Sequence, residues 1–117
     1  MVKPNLDRFI EAQNKVYDTV ISELNSGYKR THWIWYIFPQ IQGLGRSQTA
    51  RFYAIEDKQE AIDYLNHPVL GERLIECTSI VASQHVVFPY PDDMKLKSSM
   101  TLFSLISENE MFNDKVI

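Results

Sequence analysis

The sequence predicts a mainly α fold: a single compact helical domain over residues 1–117, with an ordered aromatic-rich loop between the first and second helices. Two observations carry this. Apolar residues recur at the 3.6-residue spacing of one helix face in several segments, each flanked by cap and stop residues. No strand-like alternations interleave with them, as a parallel sheet would require.

The first helix is expected over residues 6–24, where Leu6, Phe9, Ile10, Val16, Tyr17, Val20, Ile21 and Leu24 share a face. Asn5 or Asp7 is placed to cap its start, and Asn25-Ser26-Gly27 to stop it. Residues 28–47 differ in kind. Trp33-Ile34-Trp35-Tyr36-Ile37-Phe38 follows neither period, which fits a run buried on several sides, as a short strand or a helical turn, and Pro39 ends it. Ser47 reads as the N-cap of a short helix over 48–55.

Asp57-Lys58-Gln59-Glu60 is a capping-box pattern that opens a helix through residue 65. Asn66 or His67 caps the next helix, with Pro68 at its first position and Leu70, Leu74, Cys77 and Val81 as its inward stripe. Val86-Val87-Phe88-Pro89-Tyr90-Pro91 is extended, because prolines and β-branched residues disfavour helix. Asp92-Asp93 then caps a helix over 94–106, and Ser107 and Asn109 restart a short helical piece running to Val116-Ile117. No repeat or linker divides the chain.

Composition narrows the class. With 44% hydrophobic and 23% charged residues the chain has the makings of a folded core, not of a disordered tail. A net charge of -3 argues against a DNA-binding surface. The one cysteine, Cys77, excludes an internal disulfide and a thiolate cluster and points to a cytoplasmic location. No apolar run approaches the roughly 20 residues of a membrane span. His32, His67 and His85 lack metal-ligand spacing, so no metal and no cofactor is implied. Cys77 lies on an apolar stripe, where a packed thiol is favoured over a nucleophile.

Candidate site residues are polar side chains where a plain core would be apolar. At 100° per residue Gln13 falls inside the first helix's apolar face. Ser99 falls inside that of the last helix, with Lys95 on its edge and Asp92 a turn earlier. These have a structural reading, with lysine snorkelling, serine back-bonding and aspartate capping, and a functional one in which they line a pocket. If the two helices pack together, Gln13 and Ser99 meet. Gly43-Leu44-Gly45-Arg46-Ser47 precedes a helix, and its glycines and Arg46 suit an anion. Lys29, Arg30 and His32 lie nearby in sequence, and Trp33 and Trp35 offer rings for a base to stack on. The expected ligand-binding set is therefore Gln13, His32, Trp33, Trp35, Arg46, Ser47, Lys95 and Ser99, with Lys95, Asp92 and His32 as candidate catalytic groups.

The runs that carry these oddities resemble a known family. They are Thr31-His32-Trp33-Ile34-Trp35-Tyr36-Ile37-Phe38-Pro39-Gln40, Gly43-Leu44-Gly45-Arg46-Ser47, Tyr53-Ala54-Ile55, His67-Pro68-Val69-Leu70-Gly71 and Pro91-Asp92-Asp93-Met94-Lys95-Leu96-Lys97-Ser98-Ser99-Met100-Thr101-Leu102-Phe103. With Phe9, Gln13, Tyr17 and Cys77, they resemble domain-of-unknown-function family 1810 along nearly the whole chain. The resemblance implies a small, mainly helical, intracellular domain and supplies no activity. Tyr36 stands where the family pattern has phenylalanine, and the family continues for another helix beyond the Phe112 region. The label calpastatin, which some members carry, describes a disordered repeat inhibitor and does not suit this periodic, aromatic-rich chain.

Two functions from different classes fit. One is a small-molecule or nucleotide-handling domain whose partner is a phosphorylated nucleoside or ADP-ribose-like anion. The other is a non-catalytic interaction module, with a protein partner covering the C-terminal surface.

Overall fold

The computed structural model describes residues 5–107 together with Asn109 and Phe112. Among these, six helices follow one another: α1 (Asp7–Ser26), α2 (Ile34–Ile37), α3 (Gln48–Phe52), α4 (Lys58–Asn66), α5 (Leu70–Gln84) and α6 (Asp92–Ile106). The chain is mainly α, as its periodicity predicts.

α1 starts where Asn5 Oδ1 accepts the Asp7 N–H at 2.9 Å, and it stops at Gly27. There φ is +84°, a conformation cheap only for glycine, and the Gly27 and Tyr28 N–H groups close on the carbonyls of Leu24 and Glu23. The aromatic run becomes the single turn of α2, flanked by the fully buried Trp33 and Phe38. Trp33, Phe38 and Phe88 pack with centroids about 6 Å apart, burying rings worth roughly 1.5–3 kcal/mol each.

α3 ends three residues short of the expected Ile55, for a physical reason. Ile55 pairs instead with Ile41 in an isolated parallel bridge, donating its N–H to Gln40 O at 2.7 Å. The carbonyls of Phe52 and Ala54 accept from the Arg8 guanidinium at 2.8 and 2.9 Å. Asp57 caps α4 by accepting the Glu60 N–H at 2.8 Å, but Glu60 returns its bond one residue upstream, to the Glu56 N–H at 2.9 Å. The box is thus shifted, because the Glu60 carboxylate also faces Arg8 at 3.0 Å.

His67 caps the turn into α5 through Nδ1, which accepts the N–H groups of Val69 and Leu70 at 3.1 and 3.3 Å. Gly71 lets α5 lie against the end of α4: a Cβ there would sit 1.9 Å from the Leu65 carbonyl oxygen. The expected stripe of Leu70, Leu74, Cys77 and Val81 is buried. α6 begins at Asp92, two residues before the expected start, so Asp92 and Asp93 form its first turn, where Asp93 Oδ1 accepts the Met94 N–H at 2.9 Å while Asp92 turns to Lys29. A carboxylate there still complements the helix dipole. The expected terminal helical piece lies outside the described residues except at Asn109 and Phe112, where Phe112 stacks on Phe103 at 5.8 Å.

α1 packs on α5, α5 on α4 and α4 on α6, with α2 against α1, α5 and α6. The core gathers Phe9, Val20, Leu24, Tyr64, Leu74, Met100 and Phe103. No helix among the described residues is long and apolar enough to cross a membrane.

Candidate functional site

The polar residues on apolar faces resolve into separate clusters. Gln13, 1% exposed, donates from Nε2 to Tyr36 O at 2.7 Å and to Tyr64 Oη at 2.9 Å, while its Oε1 accepts from Arg73 Nη1 at 3.3 Å. Burial pushes the Tyr64 phenol up, so it stays neutral and able to accept. Gln13 therefore makes no bond to Ser99. The Ser99 hydroxyl is fully buried and has no hydrogen-bond partner among the described residues, and Ser99 lines none of the cavities described below.

Asp92 and Lys95 do come together, around a residue that the sequence reading mentioned only in passing. Lys29 is 3% exposed and holds Asp92 Oδ2 at 2.6 Å and the Thr31 carbonyl at 2.5 Å. Lys95 reaches Asp92 Oδ1 at 3.6 Å. Each ammonium lies over an indole, Lys29 on Trp33 at 4.8 Å and Lys95 on Trp35 at 4.5 Å. Trp33 has its N–H on Glu23 at 3.1 Å and is shut in the core, so it offers no face to a base. His32 is exposed and contributes its carbonyl to the Tyr36 hydroxyl at 2.9 Å. This cluster clamps the start of α6 to the segment after α1.

Glu23 was missed. It is buried on α1 and accepts from the N–H groups of Arg30 and Thr31, the Thr31 hydroxyl and the Trp33 indole. Burial raises a carboxyl, but these four donors outweigh it and hold Glu23 down at about 2. At 100° per residue Glu23 falls about 20° outside the apolar face, beside Val16, so the helical-wheel argument that singles out Gln13 does not single out Glu23.

The glycine loop does line a cavity. A cleft of about 380 Å³ is walled by Gly43, Gly45 and Arg46 on one side and by Arg8, Arg51, Phe52, Ala54, Glu56 and Glu60 on the other. Gly43 takes φ +96°, and Gly45 lies so close to the Trp35 ring and Ala50 that a side chain there would collide with both. Ser47 spends its hydroxyl on capping, accepting the Ala50 N–H at 3.0 Å. Arg8 spends its donors too, on Phe52 O, Asn5 O, Ala54 O and both Glu60 oxygens. Arg46 and Arg51 are different: both are exposed, and among the described residues neither is held in an ion pair. Phe52, 48% exposed and packed edge-to-face on Tyr53, lines the same cleft. Of the expected ligand-binding residues, Arg46 lines this cleft and Trp35 and Ser47 support its loop, while Gln13, His32, Trp33, Lys95 and Ser99 lie elsewhere.

Other cavities lie among the described residues. Ile41, Leu44, Leu102, Leu105 and Ile106, with Lys58, Ser98 and Thr101, form an apolar groove of about 540 Å³ along α6. Another, about 300 Å³, opens between α1 and α5. Cys77 is fully buried, and burial first, then the Glu76 charge, push its thiol up to about 12. No group of His, Cys, Asp and Glu among the described residues is arranged to hold a metal ion.

A family model described as protein of unknown function (DUF1810) matches residues 3–117. The crystal structure of the conserved hypothetical protein Rv1873 from Mycobacterium tuberculosis superposes with a TM-score of 0.88 at 47% sequence identity, covering 92% of this chain and 81% of that one. No curated protein matches the chain.

Proposed function

The chain belongs to the DUF1810 family, and on that premise we propose that its single domain is a small-molecule binder whose arginine-lined cleft takes a phosphorylated nucleoside or an ADP-ribose-like anion. The observation that carries this reading is the pair of exposed guanidiniums, Arg46 and Arg51, without an ion pair among the described residues, on one cleft of about 380 Å³ that the exposed Phe52 also lines. Guanidiniums match phosphate oxygens bidentately, and an aromatic face accepts a base. The volume falls in the range of small-molecule pockets. Arg8 and Glu60 neutralise each other, so two positive groups face the Glu56 carboxylate. The glycines keep the loop backbone open to a close approach. The α3 end contributes little, since the helix has only five residues and Ser47 already caps it. This reading assigns binding, not turnover, and places the protein in the cytoplasm with Cys77 as a thiol.

A thermal-shift and calorimetric titration with inorganic phosphate, ADP and ADP-ribose tests it. ADP should raise the unfolding midpoint, and phosphate should do so more weakly. Arg46→Ala and Arg51→Ala should each weaken ADP by about tenfold without altering the circular dichroism spectrum. Absence of any response to all three compounds overturns the reading. The interaction-module reading then takes its place, favoured by one observation: Leu44 and Leu105, 58% and 76% exposed, on the apolar groove.

A further inference from the structure

The cavity between α1 and α5 is lined by Tyr17, Val69, Glu72, Arg73 and Glu76 and encloses about 300 Å³. On a solvated helix face, charges at such positions point into water and recruit nothing from the core. Here they do. The Arg73 guanidinium lies 4.7 Å over the Tyr17 ring and is anchored from behind by Gln13 Oε1 at 3.3 Å. Gln13 is itself fixed by Tyr36 O and the buried Tyr64 hydroxyl. A core amide is thus spent on fixing one half-buried arginine, which holds the guanidinium in one orientation toward the cavity. Tyr17 is held as well, its hydroxyl donating to the Glu76 carboxylate.

The charges of this cavity are separated, not cancelled. Among the described residues Arg73 forms no ion pair, although Glu72 and Glu76 line the same space. Glu72, Arg73 and Glu76 all stand on α5 and line the cavity opposite Tyr17 of α1, and a fixed cation beside carboxylates that do not neutralise it complements a ligand that carries both charges. Val69, 36% exposed, adds an apolar contact at the rim. We infer that this cavity is a second ligand site, which takes a small α-amino acid with its carboxylate on Arg73 and its ammonium group toward Glu72 and Glu76. The site shares no lining residue with the arginine cleft, so it stands or falls independently of the nucleotide reading.

The test is an NMR titration of the uniformly labelled protein with L-leucine, 4-methylpentanoate and 3-methylbutylamine. The last two are leucine without its ammonium and without its carboxylate. L-leucine should shift the Arg73 side-chain and the α5 backbone resonances saturably, below about 10 mM, and each half-molecule should bind at least about tenfold more weakly. Arg73→Gln should abolish the saturable shift and Glu72→Gln should weaken it about threefold or more, whereas Arg46→Ala should leave it unchanged. If Arg73→Gln fails to fold, the exposed Glu72→Gln still decides. The inference is overturned by no saturation with L-leucine, by equal binding of 4-methylpentanoate, or by an unaltered response in Glu72→Gln.

Discussion

Gln13 Oε1 accepts a hydrogen bond from Arg73 Nη1 at 3.3 Å, joining a core amide on α1 to a half-buried cation on α5. The same side chain donates to Tyr36 O and Tyr64 Oη, so three elements besides its own helix depend on one residue. Its place on an apolar face is therefore not an accident of surface polarity. A leucine there would bury more area and satisfy nothing.

Gln13→Leu should therefore destabilise the protein. The substitution leaves the Tyr36 carbonyl and the Tyr64 hydroxyl without their amide donor in a buried setting, which costs about 1–3 kcal/mol, and the added apolar area offsets only part of that. Urea denaturation reads the loss as a lower midpoint at unchanged slope. A midpoint equal to or above that of the parent would show that the network contributes nothing.

Much of the fold was legible because helix signals are local. Gly27, Ser47, Asp57 and His67 act at helix ends as their types predict, and the stripe of Leu70, Leu74, Cys77 and Val81 faces inward. The errors lie where a distant partner overrides a local preference. α3 stops early because Arg8 and Gln40 claim the groups that would extend it. Asp92 gives up capping for an ion pair with Lys29, 63 positions away in sequence. For the site, periodicity marked Gln13 and Ser99 as polar on apolar faces but carried no information on what they meet. Glu23 sits just off the edge of its helix face and gave a weaker signal, and the roles of Arg8 and Arg73 come from tertiary contacts.

Glu23 sets a pH dependence. Its carboxyl is held at about 2 in the folded protein against 4.5 for the ordinary group, so the folded state favours the charged form. Stability from this residue is fully present above pH 4.5 and is lost as pH falls toward 2. The contribution is roughly 3 kcal/mol. Glu23→Gln should lower stability at pH 7 and flatten the acid limb of a stability–pH curve. A parallel acid limb in parent and variant would place the titrating group elsewhere.

Cys77 should behave as a core thiol. It is fully buried, and its thiol is pushed up to about 12, so little thiolate exists at pH 8. A disulfide reagent should modify the native protein slowly, at a rate limited by opening, and the urea-unfolded protein fast. Rapid native modification would mean that the thiol is reached from the Tyr17 side, where the hydroxyl lies 3.9 Å from Sγ.

Ser99 gives the opposite expectation to Gln13, although sequence reasoning treated the two alike. Its hydroxyl is fully buried on the α6 core face and makes no hydrogen bond among the described residues, and the residue four back, Lys95, already gives its carbonyl to Gln40 Nε2 at 2.6 Å. The usual refuge of a helix serine is therefore occupied. A buried hydroxyl without a partner carries its desolvation cost with no return, so Ser99→Ala removes a penalty of about 1 kcal/mol and loses only one oxygen's packing. The variant should be as stable as the parent or more stable by up to about 1 kcal/mol, with an unchanged NMR spectrum outside α6 and its neighbours. Ser99→Val tests the same cavity from the other side: with little spare room it overpacks and costs about 1–3 kcal/mol. A clear loss of stability in Ser99→Ala would require a bonded partner for the hydroxyl, and a buried water would be the first group to seek by water-to-protein NMR transfer.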